Sequence, residues 1–74
     1  MAKKPTITGT GTVTKVYPAM AGVMVQISHK EPDGQGDGTL VVPASSFHDL
    51  PVAGQVVTLG FKLVRGRWDA WVLN

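Results

Sequence analysis

The chain contains no cysteine. Neither a disulfide framework nor a thiolate metal site can hold it together. It has two histidines, His29 and His48, well separated and too few for a structural zinc site. At 74 residues the chain is one short domain, and a domain this small buries only about 60% of the surface its unfolded form exposes. Stability must therefore come from close packing, a closed sheet or association between chains. Long apolar runs are missing too, so no bilayer-spanning helix is expected, and no hydrophobic signal segment opens the sequence. "MAKKPT" reads as a frayed arm over residues 1–5 of a single 1–74 domain, with a cytoplasmic setting as the expectation. Charge of one sign is scarce: seven Lys and Arg stand against five Asp and Glu, a net charge of +2. That balance permits a nucleic-acid partner without demanding one.

Strand formers dominate what is present. Val and Thr are abundant, and Gly or Pro punctuates the chain at short intervals. "TITGTGTVTKVY" (6–17) predicts a long first strand, with Ile7, Gly9, Gly11 and Val13 on one face and the threonines on the other. Val16 breaks that alternation, which predicts a bulge near Lys15. "GVMVQIS" (22–28) predicts a second strand, with Val23, Val25 and Ile27 inward and Met24, Gln26 and Ser28 outward. "SHKEPDGQGDGT" (28–39) reads as a long, mobile polar tip. "TLVVP" (39–43) is the third strand. "ASSFHDLP" predicts a short helical turn, with Ser45 as its cap, Phe47 and Leu50 on one side and Pro51 ending it. "GQVVTLGFKLV" (54–64) and "RWDAWVLN" (67–74) are the fourth and fifth strands, joined by a tight turn at Arg65-Gly66.

Five short strands with a helical element between the third and fourth predict an all-β, five-stranded OB-fold-like Greek-key barrel. An SH3-like barrel is the alternative. Closure of the sheet would also remove exposed edges.

The segments "GTVTKV", "GVMVQI" and "GQVV", with a terminal hairpin carrying "GR" at its turn, resemble the small OB domains of the S1 type. In size and layout the chain is similar to bacterial translation initiation factor one. The resemblance spans most of the chain and implies the fold and an RNA-binding role. It departs from that pattern at "PASSFHDLP", which has no Lys or Arg where that family carries a basic cluster.

For chemistry, the sequence points to binding rather than catalysis, and no enzyme is expected. His48 and Asp49 are adjacent, with Ser45 and Ser46 nearby, but nothing marks an oxyanion hole or a nucleophile elbow. "DGQGDG" places oxygen donors at alternate positions yet lacks the later Glu of a calcium loop, so no metal or cofactor is expected. OB barrels bind oligonucleotides across strands two and three. There the candidates are Met24, Gln26, Ser28 and Val41, with Lys15, Lys62, Arg65 and Arg67 for phosphates. Tyr17 or Trp71 is the candidate for base stacking. Phe47 and Phe61 are assigned to the core. Trp68 and Trp71 lie on opposite faces of the last strand. Trp71 is the choice for an exposed ring, against a competing reading in which it packs under the N-terminal arm or against another subunit. The expected partner is single-stranded DNA or RNA. The alternative is a protein-interaction or homo-oligomeric assembly module using an apolar patch of Met24, Val41 and Trp71.

Overall fold

The computed structural model describes residues 4–34 and 36–73. Five strands form one antiparallel sheet: β1 (Ile7–Ala19), β2 (Gly22–Lys30), β3 (Asp37–Pro43), β4 (Val56–Val64) and β5 (Arg67–Leu73). A single 3₁₀ turn, Ala44–Ser46, lies between β3 and β4. The spatial order is β3-β2-β1-β4-β5, so the first strand occupies the middle and the sheet curls into a half-barrel. No ladder joins β3 to β5 among the described residues. The Cα radius of gyration is 12.2 Å, against about 11 Å for a compact chain of this length, which fits a barrel left open along that seam.

β1 is long because it serves two ladders. Its first half pairs with β4, from Ile7↔Phe61 to Thr12↔Val56. Its second half pairs with β2, from Gly11↔His29 to Ala19↔Gly22. Two bulges accommodate the bend between them. In the first, the register with β2 slips between Val13 and Lys15, leaving Thr14 unpaired, and the Thr14 hydroxyl donates to the Gln26 carbonyl at 3.2 Å. This is the bulge that Val16 signals in the sequence. It reverses the phase of the strand, turning Lys15 and Tyr17 outward and Val16 toward the core. The second bulge lies opposite Val13. Gly54, at φ +94°, donates to the Val13 carbonyl, while the Val13 N–H donates to the Gln55 carbonyl. Two residues thus face one, with a left-handed glycine first.

The inner faces meet around Val13, Val25, Ile27, Val57, Leu59 and Phe61, all buried. Leu40, Val42, Phe47, Trp68, Ala70 and Val72 pack partly against them. Each fully buried aliphatic or aromatic side chain stabilises by about 1.5–3 kcal/mol. Gly11 is where the two halves press closest. A Cβ there would lie 2.6 Å from Ile27 Cγ2 and 2.9 Å from Leu59 Cδ1, so the strand crosses the core only without a side chain.

Three sequence expectations are corrected. The polar stretch 28–39 is not one mobile tip: β2 continues to Lys30 and β3 starts at Asp37. The hairpin is closed by Glu31 N–H donating to the Gly36 carbonyl at 2.9 Å. Strand pairing overrides polar composition here: the inward side chain of His29 faces the bare backbone of Gly38 across the ladder. The helical turn is shorter than expected. Phe47 is already extended, at φ −112° and ψ 148°, so Phe47 and Leu50 do not share a helical side. Ser45 lies inside the turn rather than capping it, the cap position being Pro43. Pro51 disfavours the helical region at Leu50, and the backbone is extended at Phe47. Finally, Val23, expected inward, is exposed, because it lies near a strand end beyond the packed core.

Gly11→Ala is expected to destabilise the fold by about 1–3 kcal/mol through overpacking, read as a lowered urea midpoint at unchanged slope. In the β4–β5 turn both Arg65 (φ +53°) and Gly66 (φ +78°) have positive φ, the geometry of a type I′ turn. Arg65→Asn is expected to stabilise by roughly 0.5–1 kcal/mol, since Asn tolerates the left-handed region better than Arg. A raised melting temperature would show it.

Candidate functional site

The bulge at Thr14 assembles one group of the residues that the sequence singles out. Past it, Lys15 stands opposite Gln26 and Tyr17 opposite Met24. On the next strand Gln26 faces Val41 and Met24 faces Pro43. All project from the outer side of the sheet, because the intervening Val16, Val25 and Val42 turn toward the core. The Lys15 Nζ sits 5.1 Å from the centre of the Tyr17 ring, within cation–π range. Lys15 is exposed, and Tyr17, Met24 and Gln26 are half-buried. The surface therefore offers a cation, a ring, an amide and a polarisable thioether side by side.

Lys62, Arg65, Arg67 and Trp71 form a separate group. β4 runs antiparallel to β1 and pairs Phe61 with Ile7. The β4–β5 hairpin therefore lies beyond the start of β1, while Lys15 lies near its end. Eight residues of strand separate Ile7 from Lys15, up to about 25 Å if fully extended. Lys62 stands directly across from Asp69 and Arg67 across from Val64. Lys62 thus has a carboxylate neighbour that competes with any phosphate for its charge.

Trp71 is not the exposed ring expected. It is half-buried and pairs with Gly60. A Cβ at Gly60 would meet the Trp71 ring at 2.9 Å and Pro5 Cβ at 3.1 Å. The Trp71 ring and Pro5 both lie over the bare backbone of Gly60, so the ring is packed rather than exposed. Nor does Trp71 join Met24 and Val41 in one patch, since β1 and β4 separate β2 from β5 in the sheet. Trp68, on the other face, is half-buried against the core. Its indole N–H donates to Asp33 Oδ2 at 3.4 Å, tying β5 to the β2–β3 hairpin across the open seam.

The sequence reading missed His29. It is 8% exposed, with its ring edge-on to Phe61 at 5.3 Å between centroids and 63° between planes. Its Nδ1 lies 3.4 Å from the Lys30 carbonyl oxygen and 4.0 Å from Glu31 Oε1. The available signal was the alternation itself, because His29 continues the inward series Val25, Ile27. Beside it runs a cleft of about 640 Å³. One wall is residues 7–12 of β1, the other is Ser28, Lys30, Pro32 and Asp37, and His29 and Phe61 contribute to the lining. Among the described residues no group of three His, Asp or Glu side chains is placed to hold a metal ion. His48 and Asp49 are exposed.

Trp71→Ala is expected to lower stability by about 2–3 kcal/mol, somewhat under the cost of a fully buried tryptophan. It should leave oligonucleotide affinity unchanged in conditions where the variant remains folded. Paired denaturation and binding titrations check both halves.

No protein-family model, no curated protein and no solved structure matches this chain.

Proposed function

We propose that this chain is a non-catalytic binding protein for single-stranded nucleic acid, and that the ligand crosses the outer face of β1, β2 and β3. The observation that carries this reading is the Lys15–Tyr17 pair, with the amine 5.1 Å from the ring centre and Gln26 and Met24 abreast on the adjacent strand. A base stacked on Tyr17 would have the Gln26 amide beside its edge, and Lys15 would meet the flanking phosphate. Arg65 and Arg67, with Lys62, extend the positive surface toward the other end of β1. The same layout is the basis for proposing kinship with the S1-type domains.

Fluorescent oligo-dT and oligo-U, followed by anisotropy at low and moderate salt, test the proposal. Four phosphate contacts on a single strand predict about a 50-fold loss of affinity from about 50 to 200 mM salt. Tyr17→Ala is expected to cost roughly 1–3 kcal/mol, about five- to 150-fold. Replacing Lys62, Arg65 and Arg67 together by Ala should lower the salt slope by about 2. Absence of binding at low salt, or indifference to both sets of substitutions, contradicts the reading.

One observation favours a second reading, a protein-interaction module. Leu50, Val52 and Val56 are 62%, 66% and 64% exposed within one short stretch of chain. If that stretch is the interface, Val56→Lys dissociates an assembly seen by sedimentation. A monomer at every concentration, with no complex to lose, removes this reading.

A further inference from the structure

The cleft beside His29 exists because β1 has a partner on only one side there. β1 pairs with β4 from Ile7 onward, but its ladder with β2 begins only at Gly11. Residues 7–9 thus present one unpaired edge, with the Thr10 N–H at its end. Ladder alternation fixes which peptide groups lie on it. The Val13 N–H and C=O both bond on the β4 side, and the register from Val13 back to Ile7 is unbroken. The odd-numbered residues therefore face β4. The Thr8 peptide group and the Thr10 N–H point the other way, into the cleft, while the Thr10 carbonyl faces Lys30 at the end of the β2 ladder. β2 ends at Lys30, opposite Thr10, and does not continue alongside residues 7–9, since the chain turns away at Glu31 and Pro32, and Pro32 has no N–H to offer a ladder.

The cleft is suited to a strand. Its volume of about 640 Å³ falls in the range of ligand-holding clefts, roughly 300–1,000 Å³. Its inner side is lined by Phe61, His29 and Ile7, and Gly9 adds no side chain to obstruct it. Its charged lining residues, Lys30 and Asp37, face each other across the β2–β3 ladder. That rim is neutral overall, which disfavours a polyanion and suits a peptide. The Lys15–Tyr17 surface lies toward the far end of β1, so the two sites are separate.

We infer that this edge binds an extended, uncharged peptide segment of another protein by strand addition. The backbone of the segment would pair with the Thr8 peptide group and the Thr10 N–H. Alternate side chains would point inward onto Phe61, His29 and Ile7. Main-chain pairing supplies the affinity and the inner side selects apolar side chains.

The experiment is an amide-resolved titration of the ¹⁵N-labelled full chain. The probes are capped pentapeptides alternating threonine with valine, leucine or phenylalanine. In the free protein the Thr8 and Thr10 amides are expected to exchange fast with solvent, unlike those of Gly9 and Gly11. With at least one peptide their resonances should shift saturably and their exchange slow by about tenfold or more. The same peptide N-methylated on its central residues should do neither. Thr10→Pro removes one cleft-facing donor without touching the β4 ladder and should weaken binding. The N-methylated peptide gives the same discrimination if that variant fails to fold. The inference is overturned if the Thr8 and Thr10 amides are already protected in the free chain. It is equally overturned if shifts centre on the β3 or β5 edge, or if none of the three peptides perturbs these amides at millimolar concentration. Oligonucleotide binding is read on Tyr17 and Lys15, so failure of one reading leaves the other standing.

Discussion

The double pairing of β1 is the constraint on which the rest of the structure depends. One strand supplies the edge for β4 and then the edge for β2, and at Gly11–Val13 it must do both. A flat strand cannot satisfy two ladders that diverge, so the backbone bulges at Thr14 and opposite Val13. The bare backbone of Gly11 lets Ile27 and Leu59 approach from both halves. A side chain at that point would push apart the ladders that define the half-barrel. Small size sharpens the constraint. With six buried hydrophobic side chains at the centre among the described residues and no disulfide or thiolate site to compensate, loss of packing at this crossing has little else to offset it.

Both proposed binding surfaces are consequences of that strand. The bulge at Thr14 changes which face the odd-numbered residues occupy, and this brings Lys15 and Tyr17 to the outside next to Gln26 and Met24. At the other end, the late start of the β2 ladder leaves residues 7–9 single-sided and opens the cleft. One irregularity exposes side chains and the other exposes peptide groups. These favour different ligands: a stacked, charged strand of nucleotides in the first case and an extended neutral backbone in the second.

Much of the fold was legible because strands announce themselves by alternation. Val25 and Ile27, Val57 and Leu59, and the Thr-lined face of β1 all take the sides their spacing predicts. The phase break at Val16 located the first bulge. Composition misled at Ser28–Thr39, where charge and glycine suggested a loop while register with β1 and β3 held the ends in strand. It concealed His29, a polar residue buried because alternation placed it inward beside Phe61. The site was less legible than the fold. A period of two gives the face of a residue but not which strands lie between it and another residue. Lys62, Arg65, Arg67 and Trp71 were therefore grouped with Lys15 and Tyr17, although the sheet order holds them apart. Trp71 depended on a fact that alternation does not carry, namely that its partner across the ladder is a glycine.

Inter-strand Hα–Hα contacts measured by NMR test the double pairing most directly. Non-hydrogen-bonded pairs in an antiparallel ladder bring Cα atoms to about 4.5 Å, close enough for a strong cross-peak. The account predicts one between Gly11 and His29 on the β2 side and one between Thr10 and Thr58 on the β4 side. Both should be present in the same sample. Absence of either, or a register displaced by a residue on either side, would contradict it.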